Sequence, residues 1–149
     1  MGQILRARKV IVLDTSALLA LLDRDDPDHS VCAAALRSER PPYLVPAGIL
    51  SEVGYLTERK VGAAVLTGFL EDLASGAFTL DCGEQDFTRI IELIRGYDDL
   101  PLGFADASVI ACAERSEKRV MTLDRRHFSV LAREGKIVLV LDELPLGTS

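Results

Sequence analysis

Four carboxylates carry the chemistry legible in this chain: Asp14, Glu52, Asp106 and Asp124. Asp14 lies between Val10-Ile11-Val12-Leu13 and Ala17-Leu18-Leu19, and Asp106 lies among Phe104, Ala105, Ala107, Val109, Ile110 and Ala111. A carboxylate is a poor packing choice in such surroundings. Burial penalises its charge, and several acids drawn together repel and raise one another's pKa values. A bound divalent cation removes that penalty and supplies the reason for the cluster. Cys32, Cys82 and Cys112 are 50 and 30 residues apart, whereas zinc-type cysteine pairs are separated by about two to four residues. They are expected to be small buried apolar residues in a reducing compartment. The donor set is thus oxygen-rich and suits a hard ion, Mg2+ or Mn2+. Such an ion keeps most of its waters, can orient and deprotonate one, and stabilises charge on a phosphate in transfer. The chemistry these parts support best is phosphodiester hydrolysis.

Convergence of the four acids depends on the elements that carry them. Val10–Leu13 reads as a strand buried on both faces. It ends at Asp14, and Ser16 is placed to cap a helix over Ala17–Leu22. A second helix is expected from Asp28 or Ser30 to Leu36, then a strand at Tyr43–Val45 and helices at Ile49–Arg59 and Ala63–Ala74. Phe78–Leu80 reads as a strand, and Phe87, Ile90, Ile91 and Ile94 recur at helical spacing. A helix over Ala105–Glu117, a strand at Arg119–Leu123, a short helix at Arg125–Leu131 and a strand at Ile137–Leu141 complete the series. Strands alternating with helices imply right-handed crossovers and a parallel sheet of four to five strands covered on both faces. In such sheets the functional crevice lies at the carboxyl ends of the strands.

Length arithmetic brings the acids to that edge. Asp106 and Asp124 are 18 residues apart. A helix of about 12 residues descends roughly 18 Å, and a strand of about five residues climbs back roughly 17 Å. Asp14 is expected to end the first strand and Asp124 the fourth, with Glu52 in the first turns of the helix that follows Tyr43–Val45.

Composition bounds the remaining possibilities. At 149 residues, 48% hydrophobic and 27% charged, the chain is expected to form one domain over residues 1–149. Its net charge of −6 argues against a protein that binds nucleic acid or membranes by bulk charge. Arg6, Arg8 and Lys9 precede an apolar stretch in the manner of a secretory leader, but Asp14 interrupts that stretch and Asp23-Arg24-Asp25-Asp26 follows it. A cytoplasmic protein without a membrane partner is expected.

The segments Val12-Leu13-Asp14-Thr15-Ser16-Ala17-Leu18, Ser51-Glu52-Val53, Phe104-Ala105-Asp106-Ala107-Ser108 and Thr122-Leu123-Asp124-Arg125-Arg126-His127-Phe128 together resemble the PIN-domain ribonucleases, and most closely the VapC-type toxins of toxin–antitoxin pairs. The resemblance spans nearly the whole chain, and all four acidic positions of the pattern are occupied. It implies an α/β/α sandwich in which Asp14, Glu52, Asp106 and Asp124 hold Mg2+ or Mn2+. It also implies that Thr15 or Ser16, and Thr122, supply hydroxyls to the acids or the metal's waters. Relatives of this kind are commonly homodimers, silenced by a small VapB-like antitoxin whose C-terminal segment covers the acidic pocket, often with an arginine. Arg125, Arg126 and His127 follow Asp124 directly and are candidate RNA phosphate contacts. A structured RNA loop, as in tRNA or rRNA, is the expected substrate rather than duplex, because unpaired bases can be splayed into a site.

Two other classes compete. A haloacid-dehalogenase-like phosphohydrolase would use Asp14 as nucleophile, but such enzymes usually carry a second Asp two positions on, where this chain has Ser16. A non-catalytic acidic binding module would act only through a partner.

Overall fold

The computed structural model describes residues 10–143. The aliphatic run forms β1 (Ile11–Leu13), followed at once by α1 (Thr15–Leu22) and then α2 (His29–Arg37). Next come β2 (Tyr43–Pro46), α3 (Ala47–Lys60), α4 (Ala63–Ser75), β3 (Thr79–Asp81) and α5 (Phe87–Gly96). The chain continues with α6 (Phe104–Arg115), β4 (Arg119–Met121), α7 (Arg125–Arg133), β5 (Val138–Leu139) and a closing 3-10 turn, Val140–Glu143.

The five strands form one parallel sheet in the order β3-β2-β1-β4-β5. Successive strand side chains point to opposite faces. Ile11, Val12 and Leu13 are nevertheless all fully buried, so both faces of β1 are covered, as an α/β/α sandwich requires. Sheet order reverses beside β1: the chain builds outward through β2 and β3, then returns to lay β4 on the other side of β1. A crevice at a parallel sheet's carboxyl edge opens at that kind of switch point.

Several boundaries differ from expectation. Thr15 already belongs to α1, so Asp14 rather than Ser16 occupies the N-cap position. β4 ends at Met121, two residues short, which leaves Asp124 beyond the strand as the N-cap of α7. β5 stops at Leu139 because the chain turns into the 3-10 segment that holds Glu143 against Arg119. Cys32 and Cys112 are buried as expected, whereas Cys82 is exposed in the connection after β3. Arg6, Arg8 and Lys9 lie outside the described residues.

Two arginines tie distant segments to this frame. Arg119 on β4 is almost fully buried and donates to Glu39 at 2.5 and 2.7 Å and to Glu143 at 2.8 Å. Arg115, in the last turn of α6, donates to both carboxylate oxygens of Asp86 at 2.5 and 2.7 Å and to Asp81 at 2.7 Å. The second cluster clamps the end of β3 and the start of α5 onto α6.

One close approach sets the spacing of the two helices that carry Glu52 and Asp106. A Cβ on Gly48, in the first turn of α3, would lie 2.3 Å from Ser108 Oγ and 2.6 Å from Ser108 Cβ on α6. Gly48→Ala should therefore push α3 and α6 apart and destabilise the fold by about 1–3 kcal/mol, the usual cost of overpacking. Urea unfolding checks this, with Ser108→Gly in the same chain expected to restore most of the loss. An unchanged midpoint for Gly48→Ala alone would disprove the close packing.

Candidate metal centre

Asp14 is positioned by the backbone before its side chain does anything. Its N–H donates to Met121 O at 3.0 Å, extending the β1–β4 pairing by one residue, and its carbonyl accepts Leu18 N–H at 3.0 Å to open α1. Although it sits at the N-cap, its carboxylate makes no capping hydrogen bond. Instead Oδ2 accepts from the hydroxyls of Thr122 at 2.8 Å and Ser16 at 3.0 Å. Those hydroxyls are held in turn by the loop after β4: Ser16 Oγ accepts from Leu123 N–H at 2.9 Å, and Thr122 Oγ1 from Asp124 N–H at 3.0 Å.

The other acids arrive from three different helices. Asp106 lies in the first turn of α6, Glu52 in the second turn of α3, and Asp124 at the N-cap of α7. Asp14, Glu52, Asp106 and Asp124 all line one cleft of about 220 Å3, together with Thr15, Ser16 and Leu19. A second cleft of similar volume lies between α5 and α6 and is lined largely by apolar side chains, including Phe87, Ile90 and Phe104. The four acids are concentrated in the first.

The electrostatics of the cleft are unfavourable for an empty cluster of anions. Asp14 is 4% exposed, and burial raises its pKa against the lowering influence of the Thr122, Ser16 and Thr15 hydrogen bonds, with the charge of Asp106 adding to the rise. Asp106 is also raised, chiefly by burial. His127 opposes that shift, and the charges of Asp124 and Glu52 reinforce it. Thr15 Oγ1 is buried and has no hydrogen-bond partner among the described residues, although Thr15 lines the cleft. Buried polar atoms are rarely left so. A pocket lined by four carboxylates fits a hydrated divalent cation.

The three residues after Asp124 take separate places. Asp124 Oδ1 accepts the backbone N–H of Arg126 at 3.1 Å and of His127 at 3.4 Å. The exposed Arg125 side chain pairs with Asp142 at 2.5 Å, and Arg126 is exposed. The half-buried His127 ring turns to the acids, with Nδ1 2.9 Å from Asp106 Oδ2 and 3.5 Å from Asp124 Oδ2. Sequence reasoning placed His127 with the phosphate contacts and missed this inward contact, which the three-residue helical spacing from Asp124 could have indicated. It also missed Leu19, an apolar wall indistinguishable in sequence from its core neighbours.

A raised folded-state pKa for Asp14 means that the folded chain holds that proton more tightly than the unfolded one. Its charge therefore costs stability as pH rises out of the ordinary carboxylate range and through the folded pKa. In chelator-treated protein, Asp14→Asn should melt a few degrees higher than the parent at pH 7, with the gap closing as pH falls through and below the ordinary carboxylate range. Mg2+ or Mn2+ should raise the parent's Tm and move that of Asp14→Asn much less. Scanning calorimetry across pH, with and without ion, reads both effects.

Comparison with known proteins identifies the family. The family model described as PIN domain matches residues 11–134. The chain is 36% identical over 127 residues to the ribonuclease VapC26 of Mycobacterium tuberculosis (strain ATCC 25618 / H37Rv), covering 84% of this chain and 94% of that relative. The crystal structure of M. tuberculosis VapC20, a toxin that cleaves the sarcin–ricin loop, superposes with a TM-score of 0.72 at 20% identity, covering 80% of this chain and 94% of that one. With an acidic cleft at the sheet's switch point and this match over most of its length, the chain belongs to the PIN-domain family, among the VapC-type ribonuclease toxins.

Proposed function

We propose that the chain is a Mg2+- or Mn2+-dependent endoribonuclease, built as a single PIN domain, that cuts a structured RNA loop and is held inactive by a VapB-like antitoxin. The observation that carries this reading is the convergence of Asp14, Glu52, Asp106 and Asp124 on one cleft at the β1–β4 edge. Asp14, Asp106 and Asp124 would hold the ion, with Glu52 approaching from α3. A bound ion of this kind supplies Lewis acidity and an activated water for phosphodiester hydrolysis. The chain's own part is positional. Thr122 and Ser16 fix the Asp14 carboxylate, and Asp124 is fixed by the α7 amides.

RNA binding must overcome a net charge of −6, so local cations matter. Arg126 and Arg125 stand exposed at the start of α7, beside Asp124, and are assigned to substrate phosphates, with Arg125 exchanging its Asp142 partner. A tRNA or rRNA loop is favoured over duplex because its bases are unpaired, and VapC20 is described as cleaving the sarcin–ricin loop. The acidic cleft is complementary to an antitoxin segment carrying arginine.

A homodimer is also proposed. Phe87, Ile91 and Ile94 form an exposed apolar stripe along α5, with Leu80 and Phe104 exposed as well, and a second copy is the assigned occupant. A cytoplasmic location is proposed. Among the described residues no helix is long and apolar enough to cross a membrane.

Asp14→Asn, Asp106→Asn and Asp124→Asn should each lower cleavage of RNA hairpin substrates by a hundredfold or more, and chelator should abolish the parent's activity. Gel analysis of end-labelled RNA checks this, and cell growth on induction provides a second readout. Parent-level cleavage by Asp14→Asn and Asp106→Asn would reject the nuclease reading and favour the acidic binding module. A phosphorylated Asp14 intermediate would favour the phosphohydrolase. For the dimer, Phe87→Glu with Ile91→Glu should convert the species seen by light scattering to a monomer.

A further inference from the structure

The His127 imidazole, together with Asp106 and Asp124, offers one nitrogen and two oxygens that lie within 4.8 Å of one another. Around an ion with bonds of about 2.1 Å, adjacent octahedral ligands lie about 3.0 Å apart and opposite ones about 4.2 Å. The separations from His127 Nδ1, 2.9 Å to Asp106 Oδ2 and 3.5 Å to Asp124 Oδ2, are those of adjacent ligands. The ring is held there by the fold. Asp124 caps α7 and its Oδ1 accepts the His127 N–H at 3.4 Å, and one helical turn brings the side chain back over that cap. The ring's side chain is 20% exposed. Thr15, which lines the cleft beside Asp14, keeps a buried hydroxyl with no hydrogen-bond partner among the described residues.

We infer that His127 is a direct nitrogen ligand of the cleft's divalent ion, acting with Asp106 and Asp124 and biasing the site toward Mn2+ over Mg2+. The inference rests on the reading of the cleft as a divalent-cation site. Coordination uses the neutral ring with its proton on Nε2, so that the Nδ1 lone pair is free. Mg2+ is satisfied by oxygen alone, whereas imidazole adds affinity for first-row transition ions. The alternative is that His127 only orients Asp106 by a hydrogen bond, as a positioning residue.

Pulsed EPR on the full chain with one equivalent of MnCl2 separates the two. The expected result is modulation from a directly bound 14N nucleus, present in the parent and absent in His127→Gln. The other histidine, His29, is retained in that variant, and its Nδ1 is engaged with Ala20 O at 2.8 Å. Calorimetric titration should show the Mn2+-over-Mg2+ preference falling about tenfold or more in His127→Gln. Bound Mn2+ that is lost in Asp106→Asn but shows no 14N modulation in the parent would overturn the nitrogen ligand and leave the cation site standing. No Mn2+ binding by the parent, or equal binding by Asp106→Asn, would overturn both. Circular dichroism and Tm of each variant establish that it is folded.

Discussion

A carboxylate almost sealed from solvent at the end of a fully buried parallel strand, with three more acids approaching it, is the constraint around which this molecule is arranged. Desolvation opposes charge on Asp14, and the nearby anions oppose it further. The fold answers with two hydroxyls on one carboxylate oxygen, from Thr122 and Ser16, each fixed by a backbone amide of the β4–α7 loop. These bonds favour the charged form without fully offsetting burial. What remains is a directed negative potential at the mouth of the sheet. Such a potential is unfavourable in the chain alone and useful to a chain that binds a cation.

Holding that arrangement requires stiffness in the elements around it. β1 lies between β2 and β4 in mid-sheet, so the residue that follows it inherits the position of the best-buried strand. α3 and α6, which deliver Glu52 and Asp106, meet at Gly48 and Ser108 too closely for a further methyl group. Arg115 and Arg119 act further out. Each neutralises two carboxylates that pack against the sheet or its crossover helices. Pairs like these add little net stability but cost a great deal when one partner is lost. These two arginines are thus engaged by acids outside the cleft, while within it Asp106 and Asp124 face the His127 ring.

His127 shows how local geometry changes a residue's meaning. In the run Arg125-Arg126-His127 it reads as one of three cations facing a polyanion. Once Asp124 becomes the cap of α7, helical periodicity separates the three: Arg125 and Arg126 face outward, and His127 returns over the acids. An imidazole in that place has a different chemistry from a solvated one, because its nitrogen lies within bonding reach of the same region as two carboxylates.

Much of this was written in the linear chain. Alternation of short aliphatic runs with amphipathic helices specified a covered parallel sheet, since only burial on both faces explains Ile11-Val12-Leu13. The apolar flanks of Asp14 and Asp106 marked those acids as out of place for packing. Asp124 and Glu52 had weaker local signals and were recovered only by their distance from strand ends. Boundaries were less legible: nothing in Met121-Thr122-Leu123 says that the strand stops at Met121, where Asp14 and Ser16 reach across from the start of α1 to take the Thr122 hydroxyl and the Leu123 amide. The same holds for Ser16, a good cap by residue type that is used instead to hold a carboxylate. Periodicity and polarity are local properties, so the chain alone determined the elements and the acids. Which hydroxyl holds which acid, and where His127 turns, depends on contacts between residues about a hundred positions apart or one helical turn apart, and only the folded arrangement of β1, β4 and α7 decided it.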